Sequence, residues 1–283
     1  MMRNVMAQPT PNLAPPGRAI LLDQLLALAE QAGDVTWGYF GHDAAVECKP
    51  DDSPVTAADR EAEALILAGL ARVAPGVPVV AEEAVSGGDV PAVGDAFFLV
   101  DPLDGTREFI RGGSDYTVNI GLIEGGRPTM GVVYAPARGE LYWGDVTTSA
   151  WRASRQPLSL RGDSAAIRVR PCDSRPAGLI SRTNGNQATE AWLAAAGVIE
   201  RVAVGSSLKF ALIAAGRADV YPRPAPTMEW DTAAGDAVLR AAGGRVLDLD
   251  GADLRYGKPG FFNPGFLATG AYCPDPLRPH LDD

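Results

Sequence analysis

Phe97-Phe98-Leu99-Val100-Asp101-Pro102-Leu103-Asp104-Gly105-Thr106-Arg107-Glu108-Phe109 is the stretch whose reading decides the fold. Its apolar start, Phe97 to Val100, predicts a buried strand. The strand is expected to stop at Asp101-Pro102, where proline removes a ladder donor and turns the chain. Gly105-Thr106 then leads toward the next element. Two carboxylates, Asp101 and Asp104, are thereby placed at a strand's carboxyl end with backbone carbonyls and amides between them. Hard oxygen ligands on a stiff strand-to-turn junction suit a divalent cation such as Mg²⁺. A solvated acidic turn has the same composition, so the rest of the chain must decide.

The bulk numbers narrow the choice. A chain of 283 residues can bury a sizeable core, as one large domain or two closely packed halves. The formal net charge of -10 argues against nonspecific binding to nucleic acid or anionic lipid. A polyanionic substrate therefore needs a local reversal of sign, which bound metal supplies. The three cysteines, Cys48, Cys172 and Cys273, show no metal-ligand spacing, and reduced thiols in the cytoplasm are the expectation. The two histidines, His42 and His280, sit in no motif, which argues against histidine catalysis and a zinc site. No stretch has the apolar length of a membrane span.

Residues 1–18 carry Arg3 but no continuous apolar segment, and are read as a flexible tail. Ala19 to Ala32 has helical periodicity ending at Gly33, with a further helical turn over Val35 to Phe40. Lys49 to Pro54 reads as a polar turn. A helix follows from Val55-Thr56-Ala57-Ala58-Asp59, and a short strand, Val77 to Ala81, delivers Glu82-Glu83 at its end. From Tyr116 to Trp143 the pattern turns to antiparallel strands, and Leu141-Tyr142-Trp143 with Ala150-Trp151-Arg152 reads as a second hairpin. The arginine-rich interval from Gln156 to Pro176 is taken as a solvated linking face and a soft boundary. After it, strands alternate with helices. The organisation expected is an α+β half over 19–150, an α/β half over 151–275 and a short tail over 276–283.

Four acidic patches share one arrangement, each where a strand ends or a helix begins: Asp59, Glu82-Glu83, Asp101 with Asp104, and Asp231. Asp231, in Trp230-Asp231-Thr232-Ala233-Ala234-Gly235, is also placed to cap an Ala-rich helix. Several acids on separate elements, without basic partners nearby in sequence, favour a shared cation over independent caps.

Asp101-Pro102-Leu103-Asp104-Gly105-Thr106 together with Trp230 to Gly235 resembles the two signatures of the inositol monophosphatase superfamily of metal-dependent, lithium-sensitive phosphatases. Further stretches resemble its CysQ-type 3'(2'),5'-bisphosphate nucleotidases. They are Asp52-Ser53-Pro54-Val55-Thr56-Ala57-Ala58-Asp59, Arg107-Glu108-Phe109-Ile110, Tyr116-Thr117-Val118-Asn119-Ile120 and Gly131-Val132-Val133-Tyr134-Ala135-Pro136. Gly205-Ser206-Ser207-Leu208-Lys209-Phe210, Asp219-Val220-Tyr221-Pro222-Arg223 and Asn263-Pro264-Gly265-Phe266 follow later in the chain.

The resemblance implies a layered αβαβα sandwich of the inositol monophosphatase and fructose-1,6-bisphosphatase type. It implies that Glu82, Asp101, the carbonyl of Leu103, Asp104 and Asp231 hold two or three Mg²⁺, with Li⁺ inhibitory. Asp59 and Thr106 match the pair that orients or deprotonates the attacking water. Glu82, Leu103, Asp104, Gly105, Thr106 and Asp231 would meet the cleaved phosphate, while Ser206, Lys209 and Arg223 match the residues binding the phosphate that is kept. Lys209 on the first turn of a helix opposes the macrodipole, a conflict a bound phosphate resolves. Arg107 stands where lysine is common in relatives, and the two are not interchangeable.

The implied activity is Mg²⁺-dependent hydrolysis of the 3'-phosphate of adenosine 3',5'-bisphosphate to AMP, with the sulfated analogue as a second substrate, in sulfate assimilation or nucleotide recycling. The alternatives are an inositol- or sugar-phosphate phosphatase, and a non-catalytic phosphonucleotide sensor. No nucleic-acid partner is expected. The protein is expected in the cytoplasm, at most peripheral on the inner membrane, as a monomer or homodimer.

Overall fold

The computed structural model describes residues 15–41, 46–48, 54–172, 175–182 and 187–281. Residues 1–14 of the expected N-terminal tail, His42, the turn at 49–53 and Asp52-Ser53 of the motif ending at Asp59 lie outside them.

In chain order the first elements are α1 (Pro15–Tyr39), β1 (Val46–Cys48), β2 (Pro54–Thr56), α2 (Ala57–Val73), β3 (Val79–Ala81), α3 (Glu82–Ser86), β4 (Ala96–Asp104) and α4 (Thr106–Ile110). Four long strands and an edge follow: β5 (Thr117–Glu124), β6 (Arg127–Ala135), β7 (Glu140–Asp145), β8 (Ala150–Ser154) and β9 (Ser164–Ile167). Next come β10 (Gly178–Ser181), α5 (Gln187–Ala195), β11 (Arg201–Val204), α6 (Leu208–Ala214) and β12 (Val220–Arg223). The chain closes with β13 (Thr227–Met228), α7 (Ala233–Ala241), β14 (Arg245–Leu247), β15 (Phe262–Asn263) and β16 (Phe266–Thr269).

β3 to β9 form one seven-stranded sheet in chain order, parallel at β3–β4 and antiparallel elsewhere. β11-β10-β12-β16-β14 form a mixed five-stranded sheet, and β1-β2 and β13-β15 are two-stranded ribbons. Alternation along the strands sorts their apolar side chains onto two faces. Phe98 and Val100 pack with Leu25, Ala29, Ile66 and Leu70 of α1 and α2. Phe97 and Leu99 face the other way, into a core shared with Phe210 of α6, Val238 of α7, and Tyr221 and Phe266 of the smaller sheet. Trp192 and Leu193 of α5 cover the far face against Val220 and Leu267. The order α1/α2, large sheet, α6/α7, small sheet, α5 is the expected αβαβα sandwich. Among the described residues, no helix is long and apolar enough to cross a membrane.

Four local differences from the sequence reading have physical causes. α1 begins at Pro15, inside the stretch read as a tail, and runs unbroken through Gly33. A Cβ there would lie 2.1 Å from the Tyr134 ring, so Gly33 marks a close approach of helix to sheet rather than a stop. Over 276–283, also read as a tail, Leu277 is fully buried against the α5 layer. The large sheet extends past residue 150 into the arginine-rich interval, because β9 pairs with β8. Most of the interval is exposed, as a solvated face should be, with Arg161 lying 5.5 Å from the Trp143 ring and Arg170 pairing with Asp219 at 2.5 Å.

Finally, β4 does not stop at Asp101-Pro102. Asp101 pairs with Asn119 and Asp104 with Thr117, so three steps on β4 match two on β5. The extra residue is a β-bulge at Pro102-Leu103, where proline offers no ladder donor.

Candidate active site

That bulge re-aims the strand end. Asp101 turns inward, 1% exposed, and its Oδ1 accepts the Leu103 amide at 2.9 Å. Asp104, one bulge further, reaches a cleft of about 380 Å³ between the two sheets. Gly105 takes a left-handed φ of 95° as it caps α4, which places Thr106 at the helix start. Glu82 lines the same cleft from the start of α3, where β3 runs parallel to β4 and ends beside it. Asp231 lines the cleft from a turn that packs against β4 and β5.

Asp231 does not cap the Ala-rich helix, as its position suggested. The N-cap of α7 is Thr232, and Asp231 ends a 3-10 turn in which its Oδ2 accepts the Met228 amide at 3.0 Å. α7 can deliver it this far because the sheet beneath is flattened by a row of glycines. Gly121, Gly131 and Gly144 pair across β5, β6 and β7, and a Cβ on Gly131 would lie 2.3 Å from the Ala234 carbonyl.

Asp59 and Thr106 meet as expected. The Thr106 hydroxyl donates to Asp59 Oδ1 at 3.1 Å, and Asp59 Oδ2 accepts from the Thr56 amide at 2.8 Å and hydroxyl at 2.6 Å. Asp59 is thus also the third residue of the capping box that starts α2.

The basic residues of the cleft come from α6 and the second sheet. Ser206, in a left-handed conformation at φ 50°, joins β11 to α6. Lys209 on the first turn of α6 is only 3% exposed, and Arg223 ends β12. The Lys209 ammonium donates to the carbonyls of Val204 at 3.1 Å and Ser206 at 2.5 Å, and lies 4.8 Å from the Tyr221 ring centre. These partners offset its unfavourable place in the helix dipole. The Arg223 guanidinium donates to the Ala225 and Pro226 carbonyls, both at 3.3 Å. Glu82, Asp104, Gly105, Thr106, Ser206, Lys209, Arg223 and Asp231 therefore all line one cleft. Asp59, Asp101 and Leu103 are buried behind its wall.

The electrostatics are those of crowded like charges. Burial, then the neighbouring acids Glu82, Asp104 and Asp231, holds the Asp101 carboxyl well above its usual range. Asp231 is raised by burial first and by Asp104 and Glu82 next. Burial pushes Asp104 up to about 6, opposed by Lys209 and the Ser207 amide. Lys209 is brought down to about 8 by burial, against the pull of Asp104. Burial raises Asp59 too, outweighing its hydrogen bonds from Thr56 and Thr106.

Buried carboxylates that raise one another are a donor set short of positive charge. All are hard oxygens, which fits Mg²⁺ rather than a soft metal. Among the described residues, no three acidic, histidine or cysteine side chains are already drawn around a single point. Asp101, Asp104 and Asp231 each accept one backbone amide.

Four residues at or behind the cleft were not singled out in the sequence. Ser207, beside Ser206, joins the site to the large sheet through its hydroxyl, with Asn119 Oδ1 at 2.6 Å and Thr117 Oγ1 at 2.9 Å. Asn119, a fully buried amide amid the apolar residues Val118, Ile120, Leu122 and Ile123, was the available signal. Asp115 is completely buried and accepts from the Gly205 amide at 2.9 Å, while pairing with Arg138 at 2.5 Å and Arg182 at 2.8 Å. Arg182 and Asp115 come from distant stretches, and nothing in their spacing announced the pair.

Comparison with known proteins agrees with this geometry. The inositol monophosphatase family model matches residues 20–271. The chain is 42% identical over 253 residues to the 3'(2'),5'-bisphosphate nucleotidase CysQ of Shigella flexneri, covering 88% of this chain and 99% of that protein. Its identity to the enzyme of the same name from Escherichia coli K12 is 41% over 252 residues, with the same coverage. The crystal structure of CysQ from Bacteroides thetaiotaomicron superposes with a TM-score of 0.76 at 35% identity, covering 93% of this chain and all of that one. With its layered fold, its two acidic signatures meeting in one cleft and a family match over most of its length, the chain belongs to the inositol monophosphatase family.

Proposed function

We propose that this protein is a 3'(2'),5'-bisphosphate nucleotidase, a Mg²⁺-dependent phosphomonoesterase that converts adenosine 3',5'-bisphosphate to AMP and phosphate. Members of the family are Mg²⁺-dependent phosphatases, and the relatives above carry the nucleotidase name. The observation that carries the reading is the polarity of the cleft. Acids and bases share one cavity of about 380 Å³, lined by Glu82, Asp104 and Asp231 and also by Ser206, Lys209 and Arg223. That is within the range of small-ligand sites. A substrate with two phosphates suits both sets, one phosphate at the metal-binding acids and the other at Ser206, Lys209 and Arg223.

In this reading Glu82, Asp101, the Leu103 carbonyl, Asp104 and Asp231 hold two or three Mg²⁺, for which Li⁺ competes. Bound Mg²⁺ supplies positive charge to the phosphoryl oxygens and lowers the pKa of the attacking water. The chain's own part is orientation. Thr106 is fixed by its hydrogen bond to Asp59, and the pair aims the water at phosphorus and accepts its proton as the ester P–O bond breaks, the departing 3'-oxygen taking a proton from a solvent water. Lys209, Ser206 and Arg223 hold the 5'-phosphate, which fixes the 3'-phosphate against the metal-binding acids. The sulfated analogue presents the same 3'-phosphate and is a second substrate.

The test is turnover of adenosine 3',5'-bisphosphate, inositol 1-phosphate and fructose 1,6-bisphosphate by the purified protein in one Mg²⁺ buffer. The nucleotide is expected to have the highest kcat/KM. A preference for either of the other two replaces the substrate assignment, and nucleotide binding without turnover makes the protein a sensor.

A further inference from the structure

At the mouth of the cleft stands an arginine that the catalytic reading leaves unused. Arg182 follows Ser181, the last residue of β10, and lines the cleft beside Glu108 of α4. Its edges are occupied. Nη1 meets Glu108 Oε1 at 2.6 Å, Nη2 meets Asp115 Oδ2 at 2.8 Å, and Nε lies 3.5 Å from the Ala203 carbonyl. Asp115 is itself immobilised by Arg138 and the Gly205 amide, so the guanidinium is held in a fixed plane. Even so, the Arg182 side chain is 42% exposed.

A guanidinium's N–H donors all lie in its plane. With partners on its edges, what it offers the cleft is its flat face. Two carboxylates already balance its charge, which makes it a weaker anchor for a phosphate than Lys209 or Arg223. Aromatic faces are scarce here. Phe210, Tyr221 and Phe266, the aromatic residues lining the cleft among the described ones, are buried and pack on one another with ring centres 5.3 to 5.7 Å apart. The Lys209 ammonium further covers the Tyr221 ring. Of the guanidinium groups lining the cleft, which include Arg107 and Arg223, Arg182 offers a flat heterocycle an exposed plane fixed by two carboxylates, and guanidinium planes stack bases as aromatic rings do.

We propose that Arg182, clamped edge-on by Glu108 and Asp115, is the stacking platform for the purine base and a specificity-determining residue of this enzyme. The inference rests on the nucleotidase reading. It also gives Glu108 and Asp115 a role as positioning residues, joining α4 of one layer to β10 of the other across the mouth.

The experiment compares adenosine 3',5'-bisphosphate with a base-free analogue, 1-O-methylribose 3,5-bisphosphate, in Mg²⁺ buffer, for the wild-type chain, Arg182→Ala and Arg182→Lys. Lysine keeps the charge and an ion pair, and so protects the fold, but has no plane. Both variants are expected to lose about tenfold in the kcat/KM preference for the substrate with a base, the size of one stacking contact, and to lose it in KM. An unchanged preference, an equal fall on both substrates, or full rescue by lysine would overturn the platform while leaving the nucleotidase standing. A wild-type protein that turns over neither compound would remove the nucleotidase reading and the platform with it.

Discussion

One oxygen of Asp59 faces the candidate chemistry and the other faces a helix end. Oδ1 accepts the Thr106 hydroxyl, and Oδ2 closes the capping box of α2 with Thr56. The two roles separate by mutation. Thr106→Val removes the hydroxyl and leaves the cap intact, so kcat should fall by about 10² to 10⁴ with little change in thermal stability. Asp59→Ala should lose the same rate and also about 1 kcal/mol of stability, because the first turn of α2 loses its acceptor. Kinetics beside thermal unfolding of both variants checks this. A Thr106→Val enzyme with near-normal kcat would remove the pair from the mechanism. At this scale the sequence was most legible, since the acids sit in short motifs that can be read before their neighbours are known. It was least legible for Arg182, because an arginine after a strand means nothing until Glu108 and Asp115 are seen on its edges.

The elements succeed or fail by how closely their backbones approach. α7 presents Ala233, Ala234 and Ala237 to the glycines of β5, β6 and β7, and this small-residue seam lets the helix bring Asp231 to the cleft. Gly131→Ala would force a methyl to within 2.3 Å of the Ala234 carbonyl and 2.9 Å of Ala237. Backbone cannot yield there as a side-chain tip does. The expected cost is about 3 kcal/mol, with a fall in kcat as α7 lifts and Asp231 leaves the other acids. Denaturant unfolding and steady-state rates measure the two effects. Wild-type stability would mean the seam is looser than the geometry requires. Hydrophobic periodicity announced the strands and helices but not this seam, nor the bulge at Pro102-Leu103. Both depend on which backbone lies opposite, and periodicity records only which side of an element is apolar. The same limit let Gly33 pass for a helix stop and let β9 hide among arginines.

Across the whole molecule, the acid cluster sets stability against binding. Without a cation, Asp104 titrates at about 6 in the folded chain against an ordinary 3.8, and Asp101 and Asp231 are raised as well. Below about pH 4 the carboxyl is protonated in both the folded and unfolded states, and the cluster carries no penalty. As pH rises from there through 6, the unfolded chain ionises first, so stability is lost across that window and stays lost above it. Mg²⁺ binds the ionised form and so acts against this loss, most strongly where the carboxylates are charged. At pH 8, Mg²⁺ at about a hundred times its Kd should stabilise the protein by about 2.7 kcal/mol over the same sample in chelator, a rise in Tm of about 5 to 10 °C for a chain this long. At pH 5, protons compete for the same oxygens and the rise should shrink to a small fraction. Taking the difference between Mg²⁺ and chelator at each pH cancels every titration outside the site. An equal shift at both pH values, or none at either, would mean that these acids do not share a cation. Asp101, Asp104 and Asp231 would then be a costly cluster with no ligand to justify it.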